Sequence, residues 1–353
     1  MDNLVNKWKQ ILQVAATYIG TVVGAGFATG REVVEFFARF EWNGLLGIMV
    51  ASFLFIWLGT KMMILSAKID AYSFQDLINY LSGKRVGGIF NFFMLLILLG
   101  VTSVMISGAG AIFHEQLGLS YLLGAIVTVI LCYFVMTRGL SGVLTINSIV
   151  VPLMVFFSLL IAVNTIQHYT HVSIPLGVIV TFNFSTWEWI LRSLTYASLN
   201  LCLAQAVLVP LGRDIKDEKI LKWGGILGGI GLCLMLFCAN FALMSLKEND
   251  SYEIPMAEII RNFGSVIHLF FLFVIYGEIF TTLVGNVFGI TRQMYTLTQI
   301  SEKILGGFFL LFCLLVSQIG FGTLISYLYP LFGYIGSFFL LLLIFRGKLK
   351  VEK

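Results

Sequence analysis

One carboxylate in this chain stands where a membrane would leave it without water. Glu278 lies near the centre of the apolar run 264–291, and Thr281, Thr282, Gly285 and Gly289 follow it at helical spacing. That spacing puts all five on one helix face. A charge at such depth costs at least a few kcal/mol, so an intramembrane acid is a functional residue by default. A carboxyl beside two hydroxyls suits a hard monovalent cation, or a proton carried by Glu278 itself. The plainer alternative is a protonated Glu278 bonded to a neighbouring carbonyl. The two threonines alone would say little, because membrane threonines usually bond back to their own helix.

A second chemistry-bearing stretch is Thr17 to Glu35, TYIGTVVGAGFATGREVVE. It is apolar enough to enter a bilayer, yet Gly20, Gly24, Gly26 and Gly30 crowd its middle, each weakening a helix by roughly 1 kcal/mol relative to Ala. A break in mid-membrane is expected. Backbone groups freed there cannot face lipid, so they must line a protein cavity or hold a ligand. The competing use of the same glycines is a packing groove, with Gly20, Gly24 and Ala28 letting another helix approach.

The third stretch, Trp187 to Leu211, holds Ser198, Asn200 and Gln205 at mid-depth and stops at Pro210. Tyr196 and Asn200 share one face; Ser198, Cys202 and Gln205 form another. Either protein surrounds this helix, or it is interrupted near Ser198 to Asn200. Interrupted segments at matching positions of two halves mark an inverted-repeat transporter with a midplane site. The alternative is that Asn200 and Gln205 merely bond between helices. No acid sits at the centre of this segment, which argues against a polyamine needing paired carboxylates; Tyr196, Asn200 and Gln205 suit an amino acid or a heterocycle. Arg31 marks either a vestibule or a solvated helix end, and Glu32, Glu35 and Arg39 read as the latter.

The elements that position these groups follow from composition. Of 353 residues, 59% are hydrophobic and only 11% charged, against roughly 25% charged in soluble domains. The chain is an all-α integral membrane protein. Ten apolar stretches are long enough to cross a bilayer, at about 11–37, 43–67, 87–114, 119–137, 145–167, 187–211, 222–246, 264–291, 302–318 and 320–345. They form one transmembrane domain over 1–353, divided into repeats at about 11–167 and 187–345. Tyr72 to Ser82 is amphipathic and too short to span, so it lies along the surface. With both termini cytoplasmic, 17 of the 22 Lys and Arg residues fall on the inner side, as the positive-inside rule requires of a plasma-membrane protein. Met1 to Gln10 is polar and lacks a cleavage pattern, so the first segment stays in the mature protein. The net charge of +4 is small and its residues sit at segment ends, which implies no nucleic acid. The five cysteines lie in apolar segments without metal spacing and read as reduced core residues. His114, His168, His171 and His268 share no metal spacing. Gly139-Leu140-Ser141-Gly142 looks like the GxSG of rhomboid proteases, but the nearest histidines lie on the opposite side, so no enzyme is read from it.

The whole pattern resembles the amino acid, polyamine and organocation transporter superfamily with its leucine-transporter fold, and within it a bacterial YkvI-like branch. Gly24-Ala25-Gly26-Phe27 is similar to that superfamily's glycine-x-glycine break. The resemblance implies a 5+5 inverted repeat with broken helices one and six. It implies that amides around Gly24 to Phe27, with neighbouring Thr21, receive a substrate's polar head, and that Ser198 to Asn200, Tyr196 and Gln205 complete the pocket. It places a sodium site at the carbonyls of Gly20 and Val23 and the hydroxyls of Thr281 and Thr282, with no other cofactor. Glu278 departs from the family pattern, leaving sodium and proton coupling both open. Arg31 matches an outer-gate arginine whose acidic partner is missing, since Gly320 to Ile344 holds no Asp or Glu; Tyr327 or Tyr329 is the available substitute. The function so implied is a secondary transporter of a small polar or zwitterionic, amino-acid-like solute. The alternative is a ligand-sensing receptor subunit of the same fold.

Overall fold

The computed structural model describes residues 2–71, 73–138, 152–161, 163, 187–246 and 251–346. The elements described are helical throughout. The first segment is α1 (Asp2–Val22), α2 (Ala25–Thr29) and α3 (Arg31–Phe36); the second is α4 (Glu41–Leu54) and α5 (Thr60–Lys68), joined by a π-helical turn over Phe55–Gly59. Then come α6 (Phe74–Ser82), α7 (Lys84–Ala111), α8 (Tyr121–Arg138) and α9 (Pro152–Ile161). The second half is α10 (Glu188–Ile215), α11 (Glu218–Met244), α12 (Pro255–Arg261), α13 (Ser265–Thr298), α14 (Glu302–Ser317) and α15 (Phe321–Arg346).

Among the described residues, six helical runs are long and apolar enough to cross a membrane: Arg31–Lys68, Lys84–Gln116, Glu188–Ile215, Glu218–Met244, Ser265–Tyr295 and Phe321–Arg346. Ten were expected, and the physical difference is continuity. The first segment is cut into short pieces, α14 has 16 residues, and the fifth stretch is described only over 152–161 and 163. The Gly139–Gly142 motif, His168 and His171 lie outside the described residues. Between 44% and 67% of each spanning window is buried; exposed apolar side chains on these helices, such as Phe53, Phe92 and Phe273, point outward as a lipid-facing surface must. α6 is the expected surface helix, opened by a capping box between Ser73 and Asp76.

The groove into which α1 packs is not its own. A Cβ at Gly24 would meet nothing within 4 Å, whereas one at Gly224, Gly228 or Gly231 of α11 would run into Val14, Tyr18 or Ile19 of α1. Small residues on α11 therefore admit α1 at close range. Tyr18 then donates to the Phe55 carbonyl at 2.7 Å, an acceptor within the π turn. At the Lys7 end, ion pairs Lys7–Asp217, Lys68–Glu218 and Lys216–Asp70 tie the helix ends together. Hydrogen bonds from Lys216 and Arg213 hold the Asp70 carboxyl below the usual carboxylate range.

The sixth segment corrects the expectation of a second break: α10 runs unbroken for 28 residues through Ser198–Asn200 and past Pro210. Its polar side chains bond back to its own carbonyls, Ser193 to Trp189, Ser198 to Leu194 and Asn200 to Tyr196, which satisfies them without opening the helix. Glycines of α15 seal the same stretch. A Cβ at Gly333 or Gly336 would strike the carbonyl of Thr195 or Ser198, so the two backbones lie in contact where a break was expected.

Candidate functional site

The break falls one residue ahead of the glycine motif. The Val23 amide still donates to the Ile19 carbonyl at 2.8 Å, and the next bond is from the Ala28 amide to the Gly24 carbonyl at 2.9 Å. Among the described residues, the amides of Gly24 to Phe27 and the carbonyls of Gly20 to Val23 therefore lack a backbone partner. Gly24 is extended, at φ −114° and ψ −173°, and borders open space. Ala25, Gly26 and Phe27 are buried behind it. Gly30, at φ 83°, ends α2 in the left-handed conformation that glycine tolerates, and the Met256 side chain of α12 covers it.

Beside the break stands an acid. Glu32 of α3 is only 5% exposed, and its carboxylate folds back against Gly26, where any Cβ would collide with it. It accepts a hydrogen bond from Asn200 Nδ2 of α10 at 3.1 Å. Tyr196, one turn before Asn200, is buried with its ring packed on Phe36, Phe37 and Phe55.

The second acid approaches from α13, which packs against α2. Glu278 is 4% exposed and its Oε2 has no hydrogen-bond partner among the described residues. Asn286 Nδ2, two turns further, is also buried without one, and Gly285 and Gly289 border open space. An orphaned carboxylate oxygen at this depth is expensive unless an ion or a proton takes it. Neither Glu32 nor Glu278 forms an ion pair among the described residues.

A third acid closes the Arg39 end of the bundle. Glu35 is 3% exposed and gathers Arg39 Nη1 at 3.0 Å, Arg192 Nη1 of α10 at 3.0 Å and Ser326 Oγ of α15 at 2.8 Å. Arg31, donating to the Tyr252 carbonyl at 3.1 Å, lines a cavity of about 500 Å³ with these residues, Thr323 and Tyr327. One carboxylate thus latches three segments. Glu35→Ala leaves Arg39 without its carboxylate and Arg192 with only the longer Glu188 contact at 3.5 Å, and is expected to destabilise the protein by about 2 kcal/mol. Thermal melts in detergent would read it, and an unchanged melting temperature would show that the latch carries no stability.

No family model matches the chain. It is 43% identical over 328 residues to the uncharacterized membrane protein YkvI of Bacillus subtilis, covering 93% of both chains. The chain belongs to the YkvI family. It is thus a multi-pass membrane protein, and its architecture is that of leucine-transporter-fold proteins. A manganese transporter from Eremococcus coleocola, solved with an aromatic bis-isothiourea compound, matches 93% of this chain and 77% of its own at TM-score 0.60 and 14% identity. The inward-facing form of Mhp1 matches 93% and 75% at TM-score 0.58 and 11% identity. Those neighbours are transporters, not enzymes.

Of the residues singled out in this YkvI-family sequence, the structure joins some and separates others. Tyr196 and Asn200 come to the first segment, whereas Gln205 turns away to Met94 of α7 and Ser198 to Ser337 of α15. Thr21 and Thr281 spend their hydroxyls on the carbonyls of Thr17 and Glu278. Gly20 and Val23 share no hydrogen bond with Thr281 or Thr282 among the described residues. Sequence reasoning missed Glu32, taken for a solvated helix end. The available signal was its position six residues after Gly26, with Gly30 between them to fold it back.

Proposed function

We propose that this YkvI-family protein is a secondary transporter of the amino acid, polyamine and organocation superfamily. It moves a small polar or zwitterionic solute by alternating access, coupled to sodium or protons through Glu278. The observation that carries this reading is the orphaned oxygen of Glu278, on a helix packed against the broken first segment. Function sits in such a site and not in the fold alone. In this reading the unpaired amides of Gly24 to Phe27 receive the solute beside the Glu32–Asn200 pair. Carbonyls of Gly20 and Val23 with hydroxyls of Thr281 and Thr282 form the cation site. The ten stretches make a 5+5 repeat in the plasma membrane with both termini cytoplasmic, so the Glu35 latch closes the outer face.

The test is the melting temperature of purified protein across sodium and potassium concentrations at several pH values. A ligand binding only the folded state raises it by RT ln(1 + [L]/Kd), about 2.7 kcal/mol at 100 Kd. Stabilisation by sodium but not potassium supports a sodium site; a pH dependence that vanishes in Glu278→Gln supports a proton carrier. Indifference to both ions overturns the coupling and favours a receptor that binds without flux.

A further inference from the structure

The sequence places no acid in the centre of the sixth segment, and the structure supplies one from the first. Glu32 lies against Gly26 at the break, and among the described residues its hydrogen bond comes from Asn200. Tyr196 lies one turn before Asn200 on α10, and Tyr329 is on α15. Both residues are buried. Glu278 lies on α13, which packs against α2, again with no basic side chain bonded to it among the described residues. Two acids on two helices that each pack against α2 therefore form no ion pair among the described residues.

We infer that Glu32 is the recognition carboxylate for an ammonium group, and that the transported solute carries net positive charge as an amine. This rests on the transporter reading above and narrows it, since a zwitterion would bring no net charge to balance the buried Glu32, which forms no ion pair among the described residues. Asn200 occupies the place of the solute's N–H donor. An ammonium brings a full opposite charge to the carboxylate, which the neutral Asn200 amide cannot, so it displaces Asn200 from Glu32. One carboxylate and one amide accept and replace N–H donors; they are not the six or more oxygens of a hard divalent metal site. Gly26 has the carboxylate at this place because a side chain there would fill it.

The experiment is equilibrium binding of radiolabelled 1,4-diaminobutane and n-butylamine to purified full-length protein, against n-butanol and leucine as neutral and zwitterionic competitors. The expected result is that both amines bind, the competitors do not displace them, and Glu32→Gln weakens binding at least tenfold while the ion response of Glu278 persists. Asn200→Ala is expected to tighten amine binding by freeing Glu32, which a merely structural hydrogen bond would not do. Leucine displacing the amines, amine binding unchanged in Glu32→Gln, or no amine binding by a wild type that still responds to ions would each overturn the inference and leave the transporter reading standing. A wild type that binds amines yet ignores both ions would overturn the coupling and leave Glu32 as the recognition residue. Should Glu32→Gln not fold, Glu32→Asp is the second variant; with its carboxylate withdrawn by one methylene it is expected to bind amines several-fold more weakly, and unchanged affinity would count against the inference.

Discussion

Replacing Glu278 with Gln is expected to abolish ion-coupled uptake into proteoliposomes while raising the melting temperature. The two effects have one cause. Glu278 Oε2 is buried without a partner, and a buried polar group left unmade costs about 1–3 kcal/mol, more when charged. Gln keeps the shape and removes the charge, so the folded state gains about 1 kcal/mol, or roughly 1–2 °C at the unfolding entropy of a 353-residue chain. Uptake loses the group that takes the ion or proton and falls more than tenfold, the equivalent of about 1.4 kcal/mol. Stability gained where function is lost is the usual signature of a strained functional group. A variant that is less stable and still transports would show Glu278 to be a structural residue.

The second large effect concerns Gly24. Its backbone conformation is open to any residue, and a side chain there enters unoccupied space. Gly24→Leu is therefore expected to fold with a melting temperature within about 2 °C of wild type while solute binding and uptake fall at least tenfold. The control is Gly228→Leu on α11, where the Tyr18 ring already occupies the space; overpacking of that kind costs about 1–3 kcal/mol or more, so it should lower the melting temperature sharply. Equal damage from both substitutions would mean that Gly24 lines no cavity and that the first segment's glycines serve packing alone.

The contrast between these glycines illustrates what was legible beforehand. A break in the first segment followed from four glycines in an apolar run, and it lies at Val23–Gly24. Whether those glycines made a groove or a site could not be decided locally, because the answer lay in α11, some 200 residues away, whose own small residues take the contact. The expected break in α10 failed for a related reason. Ser198 and Asn200 look like interruptions when water or lipid is imagined around them, but each finds a carbonyl one turn back, and Gly336 brings α15 onto the same backbone. Glu35, equally bland in sequence, became the latch through Arg192 and Ser326, partners more than 150 residues distant.

The sequence by itself determined that this chain crosses a membrane many times as an all-helical protein, that its first segment breaks, and that Glu278 is buried in its core. Those properties depend on hydropathy, helix propensity and depth, which are sums over neighbouring residues. Only the tertiary structure decided that Glu32 belongs to the site, that α10 is whole, and that Gln205 and Ser198 turn away from Asn200. Each of these depends on which distant helix supplies a hydrogen-bond partner or a missing Cβ. In a membrane no water offers a substitute, so the fate of every buried polar group is set by that packing.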